Sequence, residues 1–199
     1  MVISSATTGL SPELAQICEE LEHIVARART FVARCDDQSW ARKPSVKAWS
    51  AAECVIHLNK TSETALAVLR NGIERARAQN RLTDQPYRLD FIGRQVLKFT
   101  EPPYRLRAPS PASYNPTGVE PRAAVLARFE QLQNELIDVL QSADGLDLCE
   151  IKVPWPVYVR IRYNMFAGFK ILPAHQRRHL WQAEQAAKLA NSEEPPTAR

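Results

Sequence analysis

Two of the four histidines in this 199-residue sequence, His175 and His179, stand four residues apart. On a helix such a pair is rotated by about 40° and separated by about 6 Å along the axis, so both imidazoles can converge on one ion. The sector they occupy also holds Met165, Gly168, Leu172, Ala183 and Ala186, which turns the pair toward a packed interior rather than toward water. A third histidine, His57, lies on a separate helical segment at the flank of its apolar stripe, close in angle to Cys54 and Val68. If the two segments are neighbours, His57, His175 and His179 form a facial set that leaves about one to three positions of a divalent ion open to water or substrate. Open coordination belongs to catalysis rather than to scaffolding. Spacing alone is a weak motif, since core and surface histidines produce it too.

Other residues admit both a chemical and a structural reading. His23, beside Glu19 and Glu22, reads as a surface or pairing residue. Cys54 is a soft ligand by chemistry but a small core residue by position. Gln182 and Arg178 lie near the sector of the histidine pair, where they either orient a ligand or an anionic substrate, or form a solvated edge with ion pairs to Glu184. Glu53 is explained by a helix cap. Arg94, Lys98, Arg105 and Arg107 flank a long loop and have the charge to recognise carboxylates, which a scattered solvated surface explains as well. Tyr104, Tyr114 and Trp155 sit in irregular segments, as pocket walls or as covers of the core.

The elements that must position these residues follow from periodicity. Ser11 and Pro12 open a first helix whose seam, Leu14, Ile17, Leu21, Ile24, Ala28, Phe31 and Cys35, alternates steps of three and four. Residues 36–47 read as a connecting loop carrying Trp40. The run Trp49-Ser50-Ala51-Ala52-Glu53 is a capping box, with Trp49 and Cys54 at the two positions of a hydrophobic staple, and the helix it opens frays near 75–81. Residues 82–121 break the pattern: six of the 14 prolines fall between Pro102 and Pro121, so a long ordered loop is expected, with a short helix at 91–99. A third long helix covers 121–142 and ends at Gly145. Residues 146–158 are β-branched and proline-rich and read as the extended crossover of the fold, and a last helix starts near 159–163, bends at Pro173 and reaches about 190. The expected architecture is all-α: a four-helix bundle with long crossover loops, one domain over 1–190 and a disordered tail at 191–199.

Composition limits the function classes. The 26 basic and 22 acidic residues are spread along the chain and give no continuous phosphate-tracking stripe, so nucleic-acid binding is not expected. There is no signal-like N-terminus and no apolar run of membrane-spanning length, and the four cysteines at 18, 35, 54 and 149 have no metal or disulfide spacing, which fits free thiols in a reducing cytoplasm. A chain of this size buries roughly two-thirds of its unfolded surface, so it needs no metal merely to fold.

Trp49-Ser50-Ala51-Ala52-Glu53-Cys54-Val55-Ile56-His57-Leu58 and His175-Gln176-Arg177-Arg178-His179-Leu180-Trp181-Gln182 resemble the two signatures of the DinB-like (DinB/YfiT-like) family, in order and across nearly the whole helix plan. The resemblance implies a four-helix bundle in which His57, His175 and His179 bind a divalent metal, usually discussed as zinc or nickel. It further implies a small-molecule substrate and, by the precedent of thiol-dependent members using bacillithiol, mycothiol or glutathione, a low-molecular-weight thiol as co-substrate of an S-transferase, isomerase or hydrolase. The proline-rich segment 102–121 and Pro173 depart from a minimal member. The competing reading is a non-catalytic helical-bundle binding protein with the metal absent or fully coordinated, and the seam of the first helix serves either internal packing or a homodimer.

Overall fold

The protein is seen in a computed structural model that describes residues 9–102, 111–116, 118, 120–155 and 158–192. Its elements in chain order are α1 (Pro12–Arg34), α2 (Asp37–Ala41), α3 (Ala51–Ala78), α4 (Phe91–Thr100), a 3-10 turn (Ala112–Tyr114), α5 (Arg122–Gln141), β1 (Lys152–Pro154), β2 (Arg162–Asn164) and α6 (Met165–Ser192). The fold is all-α but for this two-stranded hairpin. The seam expected on α1 is buried along its whole length. Each fully buried Leu, Ile or Phe in it contributes about 1.5–3 kcal/mol of transfer free energy.

The four long helices form a bundle in which α3 packs on α5 and α6, and α1 packs on the same two, so α1 and α3 are diagonal. Direction follows from the two core clusters. One gathers Ile24 to Cys35 of α1, Ala51 to Leu58 of α3, Val125 and Phe129 of α5, and Leu180 to Ala187 of α6. The other gathers the opposite ends: Leu14 to Leu21, Leu66 to Ala76, Leu132 to Leu140, and Met165 to Ile171. Hence α1 and α6 run one way, and α3 and α5 run the other. Because α3 and α5 are parallel neighbours, the chain between them must climb back the length of α5, about 30 Å for a 20-residue helix. The true crossover is therefore the segment between α3 and α5, which contains α4 and the proline-rich run.

Residues 146–158, expected to be the crossover, instead join α5 to α6 at one end of the bundle. Their β-branched character comes from the hairpin, with Val153 opposite Tyr163 and Lys152 opposite Asn164. Ile151 and Val153 are buried while Lys152 between them is exposed, the alternation of a half-buried strand. This also corrects the start of the last helix, since residues 162–164 are strand. Asn164 then caps α6, its Oδ1 accepting from the Ala167 N–H at 3.0 Å. Residues 36–47, expected as loop, contain the short α2, capped reciprocally by Asp36 and Ser39. The short helix expected at 91–99 is α4, and α6 runs through Pro173 to Ser192, two residues into the expected tail. The rest of that tail lies outside the described residues.

The crossover is fastened to α6 at α4. Asp90 Oδ1 accepts from the Gly93 N–H at 2.7 Å, and its Oδ2 accepts from Asn164 N at 2.8 Å and Lys152 Nζ at 2.7 Å. A Cβ on Gly93 would overlap the Cβ of Ala167 and stand 2.9 Å from Asp90 Oδ1. Gly93→Ala should therefore destabilise the protein by about 1–3 kcal/mol in urea unfolding, opposite in sign to the roughly 1 kcal/mol gain alanine brings to an unhindered helix interior. A stabilised variant would show that α4 does not pack this closely on α6.

Candidate metal centre

His57 is positioned from the start of α3. Ser50 Oγ accepts from Glu53 N at 3.1 Å, and Glu53 Oε2 accepts from Ser50 N at 2.9 Å, so the expected capping box is present. Glu53 is further tied to Lys43 Nζ at 2.8 Å, which leaves it a cap and not part of the ligand set. On α6, Glu184 receives a bidentate bond from Arg27 at 2.8 Å for both contacts, and Arg177 bridges Glu20 of α1 and Glu101 at the end of α4. These pairs flank His175 and His179 and hold α6 in register against α1.

The antiparallel packing of α3 on α6 brings the three expected histidines together. One nitrogen from each of His57, His175 and His179 lies within 4.8 Å of the others, and the ring centroids are 4.5 to 5.4 Å apart. Two ligands at zinc–nitrogen distances of about 2.1 Å can be at most ~4.2 Å apart, so the widest pair needs an adjustment of under about 1 Å to share an ion. His57 is buried, and the other two keep part of their surface accessible. His57 Nδ1 is 3.0 Å from the carbonyl oxygen of Tyr114 in the 3-10 turn. A carbonyl only accepts, so Nδ1 carries the proton and the Nε2 lone pair is left for a ligand bond. His179 Nδ1 is buried with no hydrogen-bond partner, an orphan of the kind a bound ion satisfies. The donor set thus fits a divalent cation.

All three imidazoles are driven toward the neutral, metal-ready form. Burial pushes His175 down to about 3, with the neighbouring His57 and Arg178 adding to the shift. Burial likewise holds His179 well below the ordinary range, helped by His175, His57 and Arg178 and weakly opposed by Gln182. His57 is lowered by burial and by Lys60, against the opposing bond to Tyr114. No carboxylate figures among these influences.

The remaining candidates separate clearly. Cys54 is fully buried in the core, and burial raises its thiol far above the ordinary range, so it does not act as a fourth ligand. His23 is exposed on α1. Arg178 Nη1 donates to the Phe99 carbonyl at 3.1 Å, while Glu184 is engaged by Arg27. Gln182 lies beside His179 without meeting its Nδ1. Arg94 and Lys98 are exposed on α4, and Trp155 packs against the core. Tyr104, Arg105 and Arg107 lie outside the described residues. Tyr114 does reach the site, its ring edge-on to His57 at 6.4 Å. The sequence reading missed Trp49 as a site residue: its ring lies 4.8 Å from that of His57 and 5.9 Å from that of His179. Its place just before the cap was the available signal.

A family model described as DinB superfamily matches residues 20–183, and the chain belongs to that superfamily. No curated protein and no solved structure gave a significant match. The family and the trio together make this an all-α protein with a histidine group compatible with metal binding; among the described residues no helix is long and apolar enough to cross a membrane.

The lowered histidines set a pH dependence. Between pH 6.5 and about 3 the unfolded chain binds a proton at His175 that the folded ion-free protein excludes, and the lowered His57 and His179 act in the same direction, so stability is lost as pH falls. The urea midpoint of ion-free protein should drop with acidification, and His175→Gln should make that slope shallower. An identical slope in the variant would show that His175 is protonated as readily in the folded state as in the unfolded chain.

Proposed function

We propose that the protein is a divalent-metal enzyme acting on a small molecule, with His57, His175 and His179 as the metal ligands and a low-molecular-weight thiol as co-substrate in an S-transfer, isomerisation or hydrolysis reaction. The observation that carries this reading is the convergence of three neutral imidazoles from two helices, with no cysteine or carboxylate joining the group among the described residues. When bound, zinc or nickel at such a site supplies Lewis acidity and brings the pKa of a water or thiol at an open position toward neutrality.

The chain's own residues prepare that chemistry. The Tyr114 carbonyl holds the His57 proton on Nδ1, which keeps the opposite nitrogen basic at neutral pH. Trp49 walls one side of the trio with an apolar ring and limits the approach of water there. Lys60 and Arg178 place positive charge beside the ligands, as their depression of imidazole protonation records, and this favours an anionic reactant such as a thiolate or carboxylate. All four cysteines are free, consistent with a reducing cytoplasm in which a soluble thiol is available.

Purified protein should carry or take up about one equivalent of zinc or nickel by elemental analysis and titration, one ion per three-histidine site. His57→Ala, His175→Ala and His179→Ala should each abolish stoichiometric uptake while leaving the helical circular dichroism intact. Retention should weaken as the pH falls toward the lowered range of these imidazoles, about 3 at His175, where protons compete for the ligand nitrogens. Wild-type protein that neither carries nor binds a divalent ion would sink the proposal. Metal-loaded protein should then be screened with bacillithiol, mycothiol and glutathione against electrophilic substrates; turnover that vanishes with the histidine variants assigns the reaction.

A further inference from the structure

Metal-binding histidines are normally oriented by a hydrogen bond from the ring nitrogen that does not face the ion. His57 has such a bond, to the Tyr114 carbonyl. His179 has Gln182 as its polar neighbour, while its Nδ1 is buried and unpartnered. The Trp49 indole also meets the His179 ring, tilted 31° at a centroid distance of 5.9 Å, and the same indole meets His57 at 4.8 Å and 45°. Trp49 is thus a single rigid side chain touching ligand rings of both α3 and α6. It is itself held in place, since it immediately precedes the Ser50 cap and the Glu53 capping box fixes the entry of the chain into α3.

We infer that Trp49 is the positioning residue of the trio: its indole fixes the ring planes of His57 and His179 by packing against both. The inference rests on the metal-site reading above. A rotating His179 side chain samples geometries in which its nitrogen points away from the other two, and each such geometry lowers the fraction of protein competent to bind an ion. The indole removes those geometries. Phenylalanine keeps an aromatic wall in the same place, whereas alanine does not.

The test compares wild type, Trp49→Phe and Trp49→Ala by three readouts. In ion-free protein, the ring Cε1–H resonances of His57 and His179 should carry ring-current shifts that collapse toward ordinary values in Trp49→Ala. Affinity for zinc, measured against a competing chelator, should fall at least about tenfold in Trp49→Ala and recover to within about threefold in Trp49→Phe, with helical circular dichroism unchanged in both. Stoichiometric cobalt(II) should quench wild-type tryptophan emission more than that of Trp49→Phe, which retains Trp40, Trp155 and Trp181. Unaltered zinc affinity in Trp49→Ala, or unshifted histidine resonances in wild type, overturns the inference while leaving the metal site standing. Failure of wild type to bind any ion overturns both.

Discussion

Three imidazoles share a small volume at the junction of α3 and α6 with no carboxylate among the described residues to balance a charge on them. Two protonated rings at centroid distances of 4.5 Å would repel each other strongly, and burial adds its own penalty, so the site exists only with its rings neutral. Neutral imidazoles facing one another have lone pairs and few donors to meet them. The arrangement is hard to justify as core packing and easy to justify as a ligand set. Much of the surrounding structure serves to hold it: capping at Ser50 fixes where α3 begins, and the ion pairs of Arg27 and Arg177 fix the register of α6.

The topology explains why the crossover belongs to the site. With α3 and α5 parallel, the segment between them has to run back along the bundle, and it does so by laying α4 along α6 and then dropping the 3-10 turn onto α3. Both α4 and the 3-10 turn touch the neighbourhood of the histidine trio. Arg178 and Arg177 hold the end of α4 through the Phe99 carbonyl and Glu101. Tyr114 and Asn115 give their carbonyls to His57 and Lys60 at 3.0 and 2.7 Å. A connection that topology makes compulsory also furnishes the hydrogen-bond partner of His57.

The bundle and the histidine trio were legible in the sequence because both depend on periodicity. The α1 seam, the Ser50 capping box and the His175–His179 step are statements about 3.6 residues per turn, and they hold whatever the tertiary packing. Helix direction was not legible, since amphipathic stripes carry no sign. The crossover was consequently assigned to 146–158, where β-branched residues in fact mark a hairpin closed by Asn164 and Asp90, a pairing between distant positions. The Tyr114 carbonyl was invisible for a deeper reason: every residue has one, and only the folded chain shows which carbonyl meets an imidazole. In the sequence Trp49 is half of a staple with Cys54, and its contact with His179 depends on the approach of a helix more than a hundred residues away.

Stability and function pull in different directions at this centre. The bundle has a buried apolar core at each end, yet between the ends α3 and α6 also bury Asn59, Ser62 and Gln176. Asn59 Oδ1 and Gln176 Oε1 lack partners, although Asn59 Nδ2 reaches the Val125 carbonyl at 3.1 Å and Gln176 Nε2 reaches Ser62 Oγ at 3.4 Å. Apolar residues of similar volume would remove that desolvation cost, which runs to about 1–3 kcal/mol for each unsatisfied group. The polar residues sit on the same two helices as the ligands and within a turn or two of them. A bundle tuned only for stability would have filled these positions with leucine. The fold tolerates this buried polarity around three uncharged imidazoles, as it tolerates the unpartnered Gln133 side chain on α5, because the apolar clusters at the two ends carry the packing.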